Sequence, residues 1–167
     1  MDVQVEWPQS HGSGESDLLA EARTELQEAL RELRELARGI HPAILTERGL
    51  RAAIAALVDR APVPVATDVP EERYPPNVES AVYFLVSEAL ANVAKHANAT
   101  RAAVSISCDG RTLIAEIVDD GGGRAVLRPG GGLQGLADRA STVGGRLEIL
   151  SPPGSGTTIR TEIPCAW

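Results

Sequence analysis

The chain has 167 residues and a formal net charge of -7, enough for one compact domain with an appendage. The acidic balance argues against direct contact with nucleic acid, which would call for a basic patch. No apolar run reaches the roughly 18 to 20 residues that cross a bilayer, and the N-terminus lacks a charged-then-apolar signal pattern, so a cytoplasmic chain without membrane contact of its own is expected. Cys108 and Cys165 are scattered thiols without metal spacing and receive no role.

Residues 1–14 include His11-Gly12-Ser13-Gly14 without periodicity and read as a flexible leader or tag remnant. From Glu15 to about Ile40 the positions Leu19, Ala22, Leu26, Ala29, Leu33, Leu36 and Ile40 alternate by three and four, an a/d seam that favours a homodimer through residues 15–40. Acids early in it (Glu15, Asp17, Glu21) and arginines late (Arg31, Arg34, Arg38) complement the helix dipole, and Gly39 and Pro42 end it. Thr46 is placed to cap a short helix that runs to about Arg60, and Val63 to Val69 reads as a strand.

After Tyr74-Pro75-Pro76, a long helix is expected from Val78 to about Ala97, with Val82, Leu85, Ala89 and Val93 on its apolar stripe. Arg101 to Cys108 and Arg111 to Val118 alternate around Asp109-Gly110 as a hairpin. A helix from about Leu133 to Val143 follows, then strands Arg146 to Ser151 and Thr157 to Pro164. The order points to an α+β fold, a two-layer α/β sandwich with a mixed sheet.

Glu88, Asn92 and Lys95 form a strip beside the apolar stripe of the long helix and can line a cleft. Asn92 can offer its amide oxygen to a hard cation, Glu88 can orient or deprotonate an attacking group, and Lys95 can set a point charge near phosphate. Of the 16 basic residues only Lys95 is a lysine. An Asp at a strand end, as in Val118-Asp119-Asp120-Gly121-Gly122-Gly123, can accept a bond from an exocyclic amine while Gly121 and Gly123 let a ring lie on backbone. Gly130-Gly131-Gly132 opens a helix whose free N–H groups suit a phosphate. Taken singly, these are a polar rim, a loop and a turn; their order makes the combination specific. His41 precedes a proline and is a poor phosphoacceptor, and His96 is expected to cap or pack the helix end.

These motifs resemble the catalytic, ATP-binding domain of two-component sensor histidine kinases, in the GHKL ATPase superfamily, over about Leu45 to Pro164. Glu88 to Ala97 looks like the N box, Asp119 to Gly123 like the DxGxG box, Gly130 to Gly135 like the GxGLxG box and Gly154-Ser155-Gly156-Thr157 like the closing GxGT element. The ExxxN form and Leu36-Ala37-Arg38-Gly39-Ile40-His41-Pro42 are similar to the nitrate-sensor and DesK-like subgroup.

The resemblance implies a GHKL-type sandwich over residues 45–167, preceded at 15–44 by a partial dimerisation helix and linker. It implies ATP and Mg2+ as cofactors, Asn92 as the magnesium ligand, Asp119 on the adenine amine and Glu88 as the catalytic residue at the metal or reaction centre. Gly121, Gly123, Gly132 and Gly135 would shape the pocket, with Lys95, Leu133 and Thr157 completing the nucleotide set, and Arg124 to Pro129 would be a short lid. The implied partners are a His-bearing dimerisation domain and a response regulator with helix-turn-helix output. The family's phosphoacceptor helix has no counterpart here, so the expectation is a fragment of a longer kinase with sensor and membrane segments upstream, the alternative being a short protein that acts on a separate partner. An anti-sigma-type serine kinase and a non-catalytic nucleotide-binding or interaction module are the alternatives.

Overall fold

The computed structural model describes residues 42–128 and 130–165. The leader at 1–14, the seam helix at 15–40, His11 and His41 lie outside them. Helix α1 spans Ala43–Val58, starting earlier than the Thr46 cap predicts. Pro42 is its N-cap, and the Pro42 carbonyl accepts the Leu45 N–H at 2.8 Å. Thr46 therefore lies within the first turn and makes no capping bond. The helix kinks at Gly49, whose φ of 79° only glycine adopts readily. Leu45 from the first piece and Leu50, Ala53 and Ile54 from the second enter one core.

Strand β1, Val65–Asp68, is shorter than expected. Helix α2, Pro76–Asn92, begins on a proline, tolerated in the first turn because its missing N–H has no intrahelical partner there. Glu79 on its first turn is only 2% exposed and accepts bonds from Arg73 Nε (2.9 Å), Arg73 Nη2 (3.1 Å) and the Tyr74 N–H (3.0 Å), which ties the preceding loop to the helix. A π turn, Val93–Ala97, replaces the last α-helical turn expected there.

Strands β2 (Ala102–Cys108) and β3 (Thr112–Asp119) form the expected hairpin. Asp109 Oδ1 closes it by accepting the N–H groups of Arg111 and Thr112 at 2.8 and 2.7 Å. Helix α3 (Gly132–Thr142), β4 (Arg146–Leu150) and β5 (Thr157–Pro164) complete the domain. The five-stranded sheet has the order β1-β2-β3-β5-β4, with β1 parallel to β2 and the other pairs antiparallel. This is the mixed sheet of the α+β expectation.

Period-two alternation sends Ala102, Val104 and Ile106 of β2, Leu113, Ala115 and Ile117 of β3, and Ile159 and Ile163 of β5 into the core with Val82, Leu85, Val86 and Ala89 of α2. The opposite sheet face carries ion pairs such as Arg160–Glu116 (3.6 Å) and Arg146–Glu162 (2.7 Å). Each buried Leu, Ile or Val contributes about 1.5 to 3 kcal/mol, against about 0 to 1 for an exposed ion pair. Burial on the helical side therefore sets the register of the strands.

Candidate functional site

The alternation that buries Leu113, Ala115 and Ile117 continues for one more residue, so Asp119 points inward at the end of β3 and Asp120 outward. Asp119 is 8% exposed, and its Oδ1 accepts the Gly121 N–H at 2.8 Å. Asp120 is structural. It accepts the Thr100 hydroxyl at 2.7 Å and the N–H groups of Thr100 and Arg101 at 2.8 and 3.0 Å.

The Thr100 hydroxyl, with these two backbone N–H groups, holds the Asp120 carboxyl down at about 2, below its ordinary 3.8. A carboxyl depressed on folding stabilises the fold above its unfolded pKa and loses that contribution as pH falls through the folded one. Asp120→Ala is therefore expected to be less stable than wild type at neutral pH, the gap closing between pH 3.8 and about 2. Urea midpoints across that range measure it, and a constant gap would contradict the assignment.

The loop after Asp119 is laced to both neighbours by its backbone. Gly122 N–H donates to Ala97 O (2.8 Å), Gly156 N–H to Gly121 O (2.9 Å), Gly154 N–H to Gly122 O (2.8 Å) and Arg124 N–H to Ser151 O (2.9 Å). Close approach requires glycine at several of these positions, Gly123 among them, where a Cβ would lie 2.0 Å from Pro152 O. A Cβ on Gly121 would lie 2.2 Å from Ala97 O, and one on Gly156 would lie 1.9 Å from Asp119 O.

Above this floor stand α2 and the π turn. In a π turn the hydrogen bonds run i to i+5, so the residue that returns beneath Asn92 is one further along than in an α-helix. That residue is Ala97; of the two exposed residues before it, His96 lines the cavity with Asn92 and Lys95 does not. The sequence places Lys95 at the site and His96 in a capping or packing role; of the two, the structure places His96 on the cavity wall. Glu88 lies one helical turn before Asn92, and its carboxylate rests against Gly132, where a Cβ would come within 2.1 Å of Oε1.

A cavity of about 410 Å³ lies between these walls, within the range of small-molecule sites. Of the predicted residues, Asn92, Asp119, Gly123, Gly132, Leu133 and Thr157 line it. Glu88, Lys95, Gly121 and Gly135 do not; Gly121 supports the loop from behind, and Gly135 has nothing within 4 Å of where a Cβ would stand. Ala89, Val93, Ile117 and Ile159 supply an apolar surface, and Arg124, Val126 and Arg128 a rim. The apolar liners sit on the same faces as the core and carry no separate signal in the sequence. Among the described residues no group of three or more His, Cys, Asp or Glu could hold a metal ion, so a hard cation here would need oxygens from a ligand beside Asn92.

Residues 77–166 match the family model described as histidine kinase-, DNA gyrase B- and HSP90-like ATPase. The chain is similar to sensor histidine kinase YxjM of Bacillus subtilis, 35% identical over 89% of this chain and 37% of that protein. It is also similar to sensor histidine kinase LiaS of the same organism, 30% identical over 82% of this chain and 40% of that one. It thus spans about two fifths of the length of these curated relatives. Among solved structures, the histidine kinase domain of an Erythrobacter litoralis blue-light activated histidine kinase superposes with a TM-score of 0.55 at 25% identity, covering 69% of this chain and 58% of that one. Acinetobacter baumannii histidine kinase AdeS shares the fold, with a TM-score of 0.57 at 16% identity over 87% of this chain and 80% of the other.

Proposed function

The chain belongs to the histidine kinase-, DNA gyrase B- and HSP90-like ATPase family, and we propose that it is the ATP-binding catalytic domain of a sensor histidine kinase. It would pass the γ-phosphoryl group of ATP to a histidine on a dimerisation domain, for relay to a response regulator with helix-turn-helix output. What carries this reading is the placement of Asn92 and Asp119 on one cavity of about 410 Å³, beside the glycine-rich start of α3.

The residues divide the work by chemistry. Asp119 has one carboxylate oxygen engaged by Gly121, and the other is free among the described residues to accept the adenine amine. Ile117, Ile159 and Val93 give the ring an apolar bed. At the other end the N–H groups opening α3 and the Arg124 and Arg128 guanidiniums, both on the cavity rim, would meet phosphate. They are better placed for that than Lys95, which does not line the cavity.

Asn92, with phosphate oxygens, would hold Mg2+. Bound there, magnesium would draw the phosphate oxygens together and offset their charge. Glu88, against Gly132 at the start of α3, would orient the incoming imidazole. Cytoplasmic placement of the domain, beside the ATP pool, belongs to the same proposal, as does pairing through residues 15–40.

The test is calorimetric titration of ATP with and without magnesium, followed by transfer from labelled ATP to a supplied histidine-bearing dimerisation domain. Binding that tightens with magnesium, and label that is acid-labile and alkali-stable, are expected. Acid-stable label on a serine would favour an anti-sigma-type kinase. No binding by a well-folded protein would leave an interaction module.

A further inference from the structure

Away from the nucleotide cavity, at the other end of the β2–β3 hairpin, the fold brings together the chain's two cysteines. Cys108 ends β2 and Cys165 follows β5, 57 residues apart in sequence, yet their Sγ atoms are 2.8 Å apart. Neither belongs to a group of three or more described residues able to hold a metal ion. The backbone around the pair is held, since the Cys165 N–H donates to Arg111 O at 2.8 Å. A disulfide bond is about 2.05 Å long, so closing this one needs a movement of under about 1 Å.

The two thiols are not equivalent. Cys165 is 2% exposed, and burial, with the Cys108 sulfur beside it, pushes its thiol up to about 11. Cys108 is half-buried and lines a second hollow, of about 620 Å³, with Glu72, Arg73, Tyr74, Ile106 and Gly110. The Gly110 N–H points at its sulfur at 3.4 Å.

We propose that Cys108 and Cys165 are a redox-active pair that forms a reversible intrachain disulfide by exchange with a low-molecular-weight disulfide admitted through this hollow. The Cys108 thiolate attacks one sulfur of the reagent, RSSR, forming Cys108–S–SR and releasing RS⁻. The Cys165 sulfur, having lost its proton to solvent, then attacks Cys108 Sγ and expels the second RS⁻. The two protein thiols lose two electrons and two protons; the reagent gains both as two RSH.

The bond would close a loop from Cys108 to Cys165 that contains β3, α3, β4 and β5, restricting the unfolded chain. The pair lies at the end of β3 opposite Asp119, so the staple would act on the persistence of the fold and leave ATP affinity unchanged.

The test uses the full chain, reduced, then incubated with oxidised glutathione, acid-quenched and alkylated. The expected product is a monomer lighter by two hydrogens, without alkylation or adduct, whose digest links the Cys108 and Cys165 peptides. Its melting temperature should rise by about 10 °C and fall back with dithiothreitol. Cys165→Ser should instead hold one glutathione on Cys108. Two alkylatable thiols, a persistent glutathione adduct on wild type or a disulfide between chains would each overturn the proposal. The wild-type mass measurement decides even if the variant fails to fold.

Discussion

Asp119→Asn is expected to weaken ATP binding by roughly 10- to 100-fold, the worth of one hydrogen bond to a charged group at about 1.5 to 3 kcal/mol. The variant keeps an oxygen to accept the Gly121 N–H, as Asp119 Oδ1 does at 2.8 Å, so the loop is retained. What changes is the atom offered to the base. An amide NH2 presented to an exocyclic amine sets donor against donor at a position only 8% exposed, where water cannot intervene cheaply. Calorimetry gives the affinity and a thermal melt checks the fold. An unchanged affinity would mean that adenine is read elsewhere.

Gly156→Ala is expected to cost about 3 to 5 kcal/mol or prevent folding, the range for strain and steric overlap in a packed site. The new Cβ would meet Asp119 O at 1.9 Å, Asp119 C at 2.9 Å and Asp120 Cα at 3.2 Å, all backbone, at a φ of +74°. Two neighbouring glycines separate the causes. Gly154 shares the unusual backbone, at a φ of +75°, but has nothing within 4 Å, so its alanine variant should lose only the left-handed penalty of about 1 to 2 kcal/mol. Gly135 is helical and equally open; Gly135→Ala should be neutral or gain up to about 1 kcal/mol. Urea denaturation of the three variants checks the order. Equal losses at Gly156 and Gly154 would remove the contact with Asp119 from the account.

Much of this fold can be read along the chain because alternation and helical periodicity report burial directly. The strand Thr157–Pro164 is legible to its ends, and β3 extends one residue past expectation because Asp119 still occupies an inward position. Helix starts were harder. Thr46 has the right chemistry for a cap, but Pro42 nucleates the helix a turn sooner, and Gly49 then breaks what periodicity presents as continuous.

The site was legible where chemistry is local: Asn92, Asp119 and the glycines announce themselves by type and spacing. It was not legible where position depends on helix geometry or on distant strands. No propensity marks Val93–Ala97 as a π turn, and Lys95 and His96, three and four residues beyond Asn92, share its helix face and cannot be ranked from the sequence alone. Cys108 and Cys165 look unrelated because the separation that brings them together is spanned by three strands and a helix.

That π turn has a structural consequence of its own. The Ala97 carbonyl at its end accepts the Gly122 N–H and fills the space a side chain on Gly121 would need, so one oxygen acts as keystone between wall and floor. An α-helix would spend one residue fewer on that last coil. Deleting one residue between Val93 and His96 would thus let the coil close as α-helix with Ala97 still returning beneath Asn92, whereas an insertion there would carry the keystone off the glycine loop.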